Sequence, residues 1–436
     1  MSELGPSAVA ANDVQISVDE ARAEIARAVT AIDECELVAL EDASARVLAA
    51  DVLSPINVPA HDNSAMDGYA FCGRDLLVDQ DSSLRAVEKV VYAGQPYEGT
   101  LSAGECIRIM TGAVMPSGLD TVVPLELCQV DNGVVKVPAG VVRTGDNRRL
   151  AGEDLSAGRA ALQAGRWLRP ADIGLMASLG YTQVLVRRRL RVALFSTGDE
   201  VVTPGHPLPP GGIYDSNRYT LMTALKRLNM EVIDLGLVRD DPVALREVMA
   251  QAIAQADVVL TSGGVSAGDA DYTRDMMAQM GSVAFWKVAM RPGRPFAFGA
   301  LKAPNASEPK ADVQGGGHKP VWLFALPGNP VAALVTFYAL ARDGLLRLAG
   351  ATPTPLPLLK VPSVEAIRKR PGRTEFQRAW VHPGPEGAWQ VRLVGAQGAG
   401  ILRSMSEANA LVVLHHEQKS VAVGDLVDVW LFDGLV

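Results

Sequence analysis

The stretch that most constrains this chain is residues 256–272, ADVVLTSGGVSAGDADY. Its apolar run, Val258 to Leu260, fits a buried strand. Glycines follow at 263, 264 and 268, then two carboxylates, Asp269 and Asp271, ahead of a helical pattern over 274–280. A glycine-rich turn between strand and helix lets backbone N–H groups approach an anion, with a helix N-terminus behind them. Carboxylates there do not bind phosphate themselves. They suit a Mg2+ ion bridging to phosphate oxygens. The same residues also fit a plain strand-to-helix turn in which an aspartate only caps the helix.

The flanking sequence repeats this pattern. Strands are predicted over 192–195, 231–235, 283–290 and 321–326, with helices over 217–228 and 331–348 and another begun by Asp241-Pro242. Strands alternating with helices predict a doubly wound parallel sheet with its site at the strand carboxyl ends. Three loops then meet at one edge: Ser196, Thr197, Gly198, Asp199 and Glu200; the 262–271 turn; and Leu326-Pro327-Gly328-Asn329-Pro330. Taken alone, the Pro-Gly-Asn-Pro sequence reads equally as a rigid turn.

The net charge of −8 argues against a nucleic-acid surface, so a site for an anion must gather its positive charge locally. Lys287, Arg291 and Arg294 do this in WKVAMRPGRP, where Pro292 and Pro295 prevent a helix. Guanidinium forks suit tetrahedral oxyanions, although an exposed basic turn would look the same. Arg373, Arg378, Arg403, Arg143, Arg148 and Arg149 add further positive charge.

Around this core the organisation is an α/β plus β, multidomain chain. The expected domains are 15–36 with 187–350 (α/β), 37–56 with 150–186 (connecting), 57–149 (an inserted small β domain) and 351–436 (a C-terminal β-barrel). Ser17 and Glu20 fit a capping box on a first helix. The stretch 57–70, NVPAHDNSAMDGYA, reads as a polar link whose Asp67-Gly68 is either a turn or part of a ligand site. Residues 302–320 read as a surface insertion. The four cysteines lie far apart and read as reduced core residues. The start of the sequence has no basic and apolar signal pattern, and the apolar run 331–341 ends at Arg342, so neither secretion nor a membrane span is expected. The six histidines form no Ser/His/Asp arrangement.

DNSAMDGYA (62–70), CIRIMTGA (106–113), GED (152–154), FSTGDE (195–200), IYDSN (213–217), RDD (239–241), SGGVSAGDADY (262–272), RPGRPFAFG (291–299), LPGNPV (326–331) and EFQRAW (375–380) occur in this order over nearly the whole chain. Together they closely resemble the MoeA family of molybdopterin molybdenumtransferases, related to the gephyrin E-domain. The resemblance implies a MogA-like α/β domain among four, a cytoplasmic homodimer and Mg2+-dependent insertion of molybdate into adenylyl-molybdopterin with release of AMP. A MogA-like adenylyltransferase and molybdoenzyme acceptors are its implied partners; membrane and nucleic acid are not. A scaffold with weak transfer activity is the alternative.

By motif position, Asp67, Thr111, Asp154, Glu200, Asp240 and Asp271 would be catalytic. Ser196, Thr197, Gly198, Ser262, Gly263, Gly264, Ser266, Lys287, Pro327, Gly328, Asn329 and Pro330 would hold the pterin nucleotide. Asp269, Asp271 and Glu200 would hold Mg2+, and Arg291, Arg294, Arg378 and Ser404 would bind molybdate. Two positions depart from the family pattern. Arg291 and Arg294 replace the lysines of KPGKP, and Ala399 stands where relatives carry a serine, leaving Ser404 or Ser406 as the candidate hydroxyl.

Overall fold

The computed structural model describes residues 14–264, 279–302 and 320–433. Residues 303–319 of the expected loop 302–320, residues 274–278 of the helical pattern expected over 274–280, and the site residues Ser266, Asp269 and Asp271 lie outside them.

A seven-stranded sheet carries the Gly263-Gly264 turn. Its centre is parallel: Arg191–Thr197 lies between Glu231–Val238 and Val258–Ser262, and Val258–Ser262 also pairs with Val321–Leu326. The residues of Val258–Ser262 are all buried, as a strand covered on both faces requires. Beyond Val321–Leu326 the sheet turns antiparallel through Pro295–Leu301 and Gly281–Val288. Strand Pro295–Leu301 was hidden in the sequence by the proline at its start and a glycine within it. Gly299 is there because a Cβ would stand 2.2 Å from the carbonyl oxygen of Ser282.

The far edge of this sheet is Val14–Ile16, paired in parallel with Gly281–Val288. Helix Val18–Ala28 follows with the expected Ser17/Glu20 capping box and buries Val18, Ala21 and Ile25. It packs against Arg342–Leu348 so closely that a Cβ on Gly344 would meet Ile25 Cγ2 at 2.7 Å and Phe324 at 3.1 Å. Overpacking a core in this way costs about 1–3 kcal/mol. Gly344→Ala is therefore expected to lower the urea midpoint of the α/β core, whereas unchanged unfolding would show that the two helices separate freely.

The predicted helix over 331–348 is one rod in three pieces: Pro330–Thr336, a π-helical segment Phe337–Ala341, and Arg342–Leu348. Asp241 caps Pro242–Gln255 as expected, accepting from the Ala244 N–H at 2.9 Å.

Cys35–Ala39 pairs with Gln183–Arg187, and Val52–Leu53 with Ala160–Leu162, around a small core that includes Leu48, Leu168 and Met176. Between these segments a six-stranded sheet runs in the order Thr121–Pro124, Gly68–Phe71, Glu105–Ile109, Ser82–Val91, Val134–Val137, Gln129–Asp131. Its strand Gly68–Phe71 is wholly buried, so the supposed polar link 57–70 ends inside the sheet. Cys106 is buried, but Cys35 is exposed, which corrects the expectation that all four thiols sit in cores.

In the last part, Thr374–Pro383 pairs with both Ala410–Leu414 and Trp389–Leu393, and Leu426–Leu431 joins Ala410–Leu414 to Leu359–Pro362. A bridge between Ser363 and Val391 brings the two remaining edges together, which curls the strands into a barrel around Val381, Val391, Val412 and Val429. Met290–Arg291 adds to this barrel in parallel with Thr374–Pro383. The RPGRP segment thus leaves the α/β sheet and enters the barrel within a few residues.

Candidate active site

A cleft of about 350 Å³ opens where this crossing occurs. Arg291 to Pro295 line it, with Pro327, Gly328, Asn329 and Ala332 from the α/β unit and Gln397, Gly398 and Ala399 from the barrel. The two units are joined at its rim by the Val331 N–H, which donates to the Ala399 carbonyl at 3.0 Å. Pro330 starts its helix, but the side chain of Asn329 makes no capping bond and lines the cleft instead.

The basic turn is rigid. Gly293 has φ +96°, and a Cβ there would stand 2.2 Å from the Thr336 hydroxyl, so no other residue fits. This geometry holds Arg291 and Arg294 at the surface of the cleft, both exposed. Among the described residues neither has a carboxylate partner.

Arg378 is fully buried behind the cleft. Its Nη2 donates to the carbonyls of Ala396 (3.1 Å) and Gly398 (2.9 Å), and its Nε to Ser404 Oγ (3.0 Å). The side-chain carbonyl of Gln397 accepts from the Arg378 backbone N–H at 2.8 Å. Burial, and then the nearby charge of Arg291, push the Arg378 guanidinium down to about 10. It remains protonated at neutral pH. Arg378 and Ser404, expected at the oxyanion, therefore stand behind the lining and hold the 396–398 turn from inside. Ser404 also donates to the Ile401 carbonyl at 2.6 Å, which leaves its hydroxyl committed.

The strand-end loops meet beside the cleft. Gly263 has φ +97°, and a Cβ there would come within 2.6 Å of the Thr197 carbonyl, so the 196–200 and 262–264 loops touch backbone to backbone. The Gly263 N–H donates to the Leu326 carbonyl at 3.1 Å. Thr197 donates its hydroxyl to Asp240, and the Asp240 N–H reaches Asp199 Oδ1 at 3.3 Å. Glu200 is exposed, with its carboxylate folded over Gly198. Lys287 is half-buried on Gly281–Val288.

Asp67, Thr111 and Asp154 are not brought to this edge by any described hydrogen bond. Asp67 accepts from the backbone and hydroxyl of Thr111, at 2.7 and 2.6 Å, and these bonds hold its carboxyl below the usual range. Asp154 lies 4.0 Å from Arg149. Among the described residues no group of three His, Cys, Asp or Glu could hold a metal, and two of the three expected Mg2+ ligands lie outside them. Missed in the sequence were Pro292, Gly293 and Ala332, which line the cleft, and the inward role of Gln397.

The comparisons with known proteins decide the family. Residues 16–180 match the MoeA N-terminal region (domain I and II), 193–347 a probable molybdopterin binding domain, and 360–432 the MoeA C-terminal region (domain IV). The molybdopterin molybdenumtransferase of Haemophilus influenzae is 38% identical over 97% of this chain and 100% of its own length. This chain belongs to the MoeA family. A second transferase of that name, from Nostoc, is 38% identical over 87% of this chain and 85% of its own. In three dimensions the chain is similar to the molybdopterin biosynthesis moeA protein of Pyrococcus horikoshii OT3, with TM-score 0.78 and 25% identity, covering 96% of this chain and all of that one. The MoeA architecture thus carries the exposed arginine pair, and the cleft lies at its junction of α/β sheet and barrel.

Proposed function

We propose that this chain inserts molybdate into adenylylated molybdopterin and releases AMP, the last step in assembling the molybdenum cofactor. The observation that carries this reading is the cleft itself: two arginines without a described carboxylate partner on a rigid turn, with a third guanidinium buried behind them. In an acidic protein this is a local site for a doubly charged oxyanion. Arg291 and Arg294 bind molybdate in planar forks. The 262–264 and 327–330 backbones and Ser196 and Thr197 hold the nucleotide end, at the edge where open α/β sheets take ligands.

Mg2+ fits the donor chemistry of Asp269, Asp271 and Glu200, and would neutralise phosphate charge as AMP departs. Ser266 is proposed to hold the pterin nucleotide. Asp67, Thr111 and Asp154, whose partners in this chain are local, are proposed to act across a two-fold homodimer. No described helix is long and apolar enough to cross a membrane. A cytoplasmic location, supply by a MogA-like adenylyltransferase and delivery to molybdoenzyme acceptors complete the reading. A gephyrin-like scaffold is not favoured, because the relatives matched over most of the chain are named as transferases.

The test is to incubate the purified chain with adenylyl-molybdopterin, Mg2+ and molybdate and to follow AMP and active cofactor. Molybdate-dependent AMP release is expected. Its absence, with folded protein and intact substrate, would overturn the proposal.

A further inference from the structure

Helix Asn217–Arg227 begins against three strand ends at once. Asp215, buried, accepts from Ser196 Oγ at 3.1 Å, from the Arg218 N–H at 3.1 Å and from Arg218 Nε at 2.9 Å. Arg218 Nη1 reaches Asp234 at 2.6 Å on the neighbouring strand. These bonds fix the helix start to the sheet, and Asn217 stands on that fixed base. Its amide nitrogen donates to Ser262 Oγ at 2.7 Å and to the Gly328 carbonyl at 2.6 Å. Ser262 in turn donates to the Pro327 carbonyl at 3.3 Å.

Both hydrogens of one NH2 group therefore converge on the Pro327-Gly328 segment, one directly and one through a hydroxyl. That segment forms one wall of the cleft. Gly328 has no side chain and Pro327 no N–H, so the wall has few means of anchoring itself. We infer that Asn217 is a positioning residue for the oxyanion: it sets the wall of Pro327 and Gly328 against the arginines that line the same cleft. This inference rests on the molybdate reading above. The chemistry requires an amide. A carboxylate at 217 would face the Gly328 carbonyl with charge and would draw the Ser262 hydroxyl away from Pro327.

The experiment compares wild type, Asn217→Ala, Asn217→Asp and Ser262→Ala as full-length chains. AMP release is measured while molybdate is varied at saturating adenylyl-molybdopterin, and then the reverse, alongside thermal midpoints. Two net hydrogen bonds together correspond to about a tenfold change in an equilibrium. Asn217→Ala is expected to raise the half-saturating molybdate about tenfold, and Ser262→Ala roughly threefold. The half-saturating pterin should also rise, since the 262–264 and 327–330 segments hold the nucleotide end, but by clearly less than the molybdate, because Ser196 and Thr197 keep their own contacts. Asn217→Asp should be worse than Asn217→Ala, since it adds a charge that repels the oxyanion.

A wild-type molybdate dependence in Asn217→Ala overturns the inference. So does an equal shift for both substrates, which would mark general damage to the fold. If Asn217→Ala does not fold, Ser262→Ala decides on the same terms. A wild type that releases no AMP removes the functional reading and this inference with it; wild-type turnover with an unshifted Asn217→Ala removes the inference alone.

Discussion

Replacing Arg291 and Arg294 together by alanine is expected to raise the molybdate needed for half-maximal AMP release by roughly a hundredfold, because each removes a hydrogen bond to a charged group. The expectation comes from how the turn is built. Gly293 is locked between Met290 and Thr336, so loss of the guanidinium groups cannot be offset by the backbone moving inward. The half-saturating concentration of adenylyl-molybdopterin should change little, since the 196–200 and 262–264 loops keep their contacts. Arg291→Lys with Arg294→Lys should fall between the two, keeping the charge but losing the planar fork. Titrating molybdate at fixed pterin checks this. An unchanged dependence would move the oxyanion site away from this cleft.

Arg378→Met is expected to damage both the barrel and the cleft. The guanidinium holds the carbonyls of Ala396 and Gly398 and the Ser404 hydroxyl in a place with no exposed surface. Removing it leaves buried acceptors unmatched, at about 1–3 kcal/mol each, so the loss should be about 3 kcal/mol or more. For a barrel of roughly 60–100 residues that corresponds to a fall of about 12–24 °C in the thermal midpoint. The 396–398 turn would also loosen, and Gln397, Gly398 and Ala399 line the cleft. Molybdate-dependent AMP release should therefore fall even at temperatures where the chain stays folded. Arg378→Lys should restore part of the stability, because one ammonium cannot reach three acceptors in fork geometry. Bound oxyanion offers the positive charge of Arg291 and Arg378 a counter-charge, so molybdate should raise the wild-type midpoint. That rise should be absent in the Arg291/Arg294 double variant. A wild-type midpoint in Arg378→Met would show that the turn holds itself.

Much of the fold was legible because its signals are local. The buried strand Val258–Ser262, the capping box on Val18–Ala28 and the Asp241-Pro242 helix start each depend on a few adjacent residues. Strands Gly68–Phe71 and Pro295–Leu301 were missed for the opposite reason. Both are buried by neighbours distant in sequence, and both carry a glycine that only cross-strand contact explains.

The site divides along the same line. The sequence by itself determined which residue types could bind anions, and that the 196–200, 262–264 and 326–330 loops share one sheet edge, since strand order and crossover rules dictate that. It also determined the family, through motifs spread over nearly the whole chain. Only the tertiary structure decided where each arginine lies and what it touches. Arg291 and Arg294 are presented to the cleft because a glycine turn crosses from sheet to barrel there. Arg378 lies on a strand whose register turns it inward, under a turn about twenty residues later in the chain. A guanidinium that binds a ligand and one that holds a backbone look alike in sequence. They differ only in which carbonyls the fold brings within 3 Å.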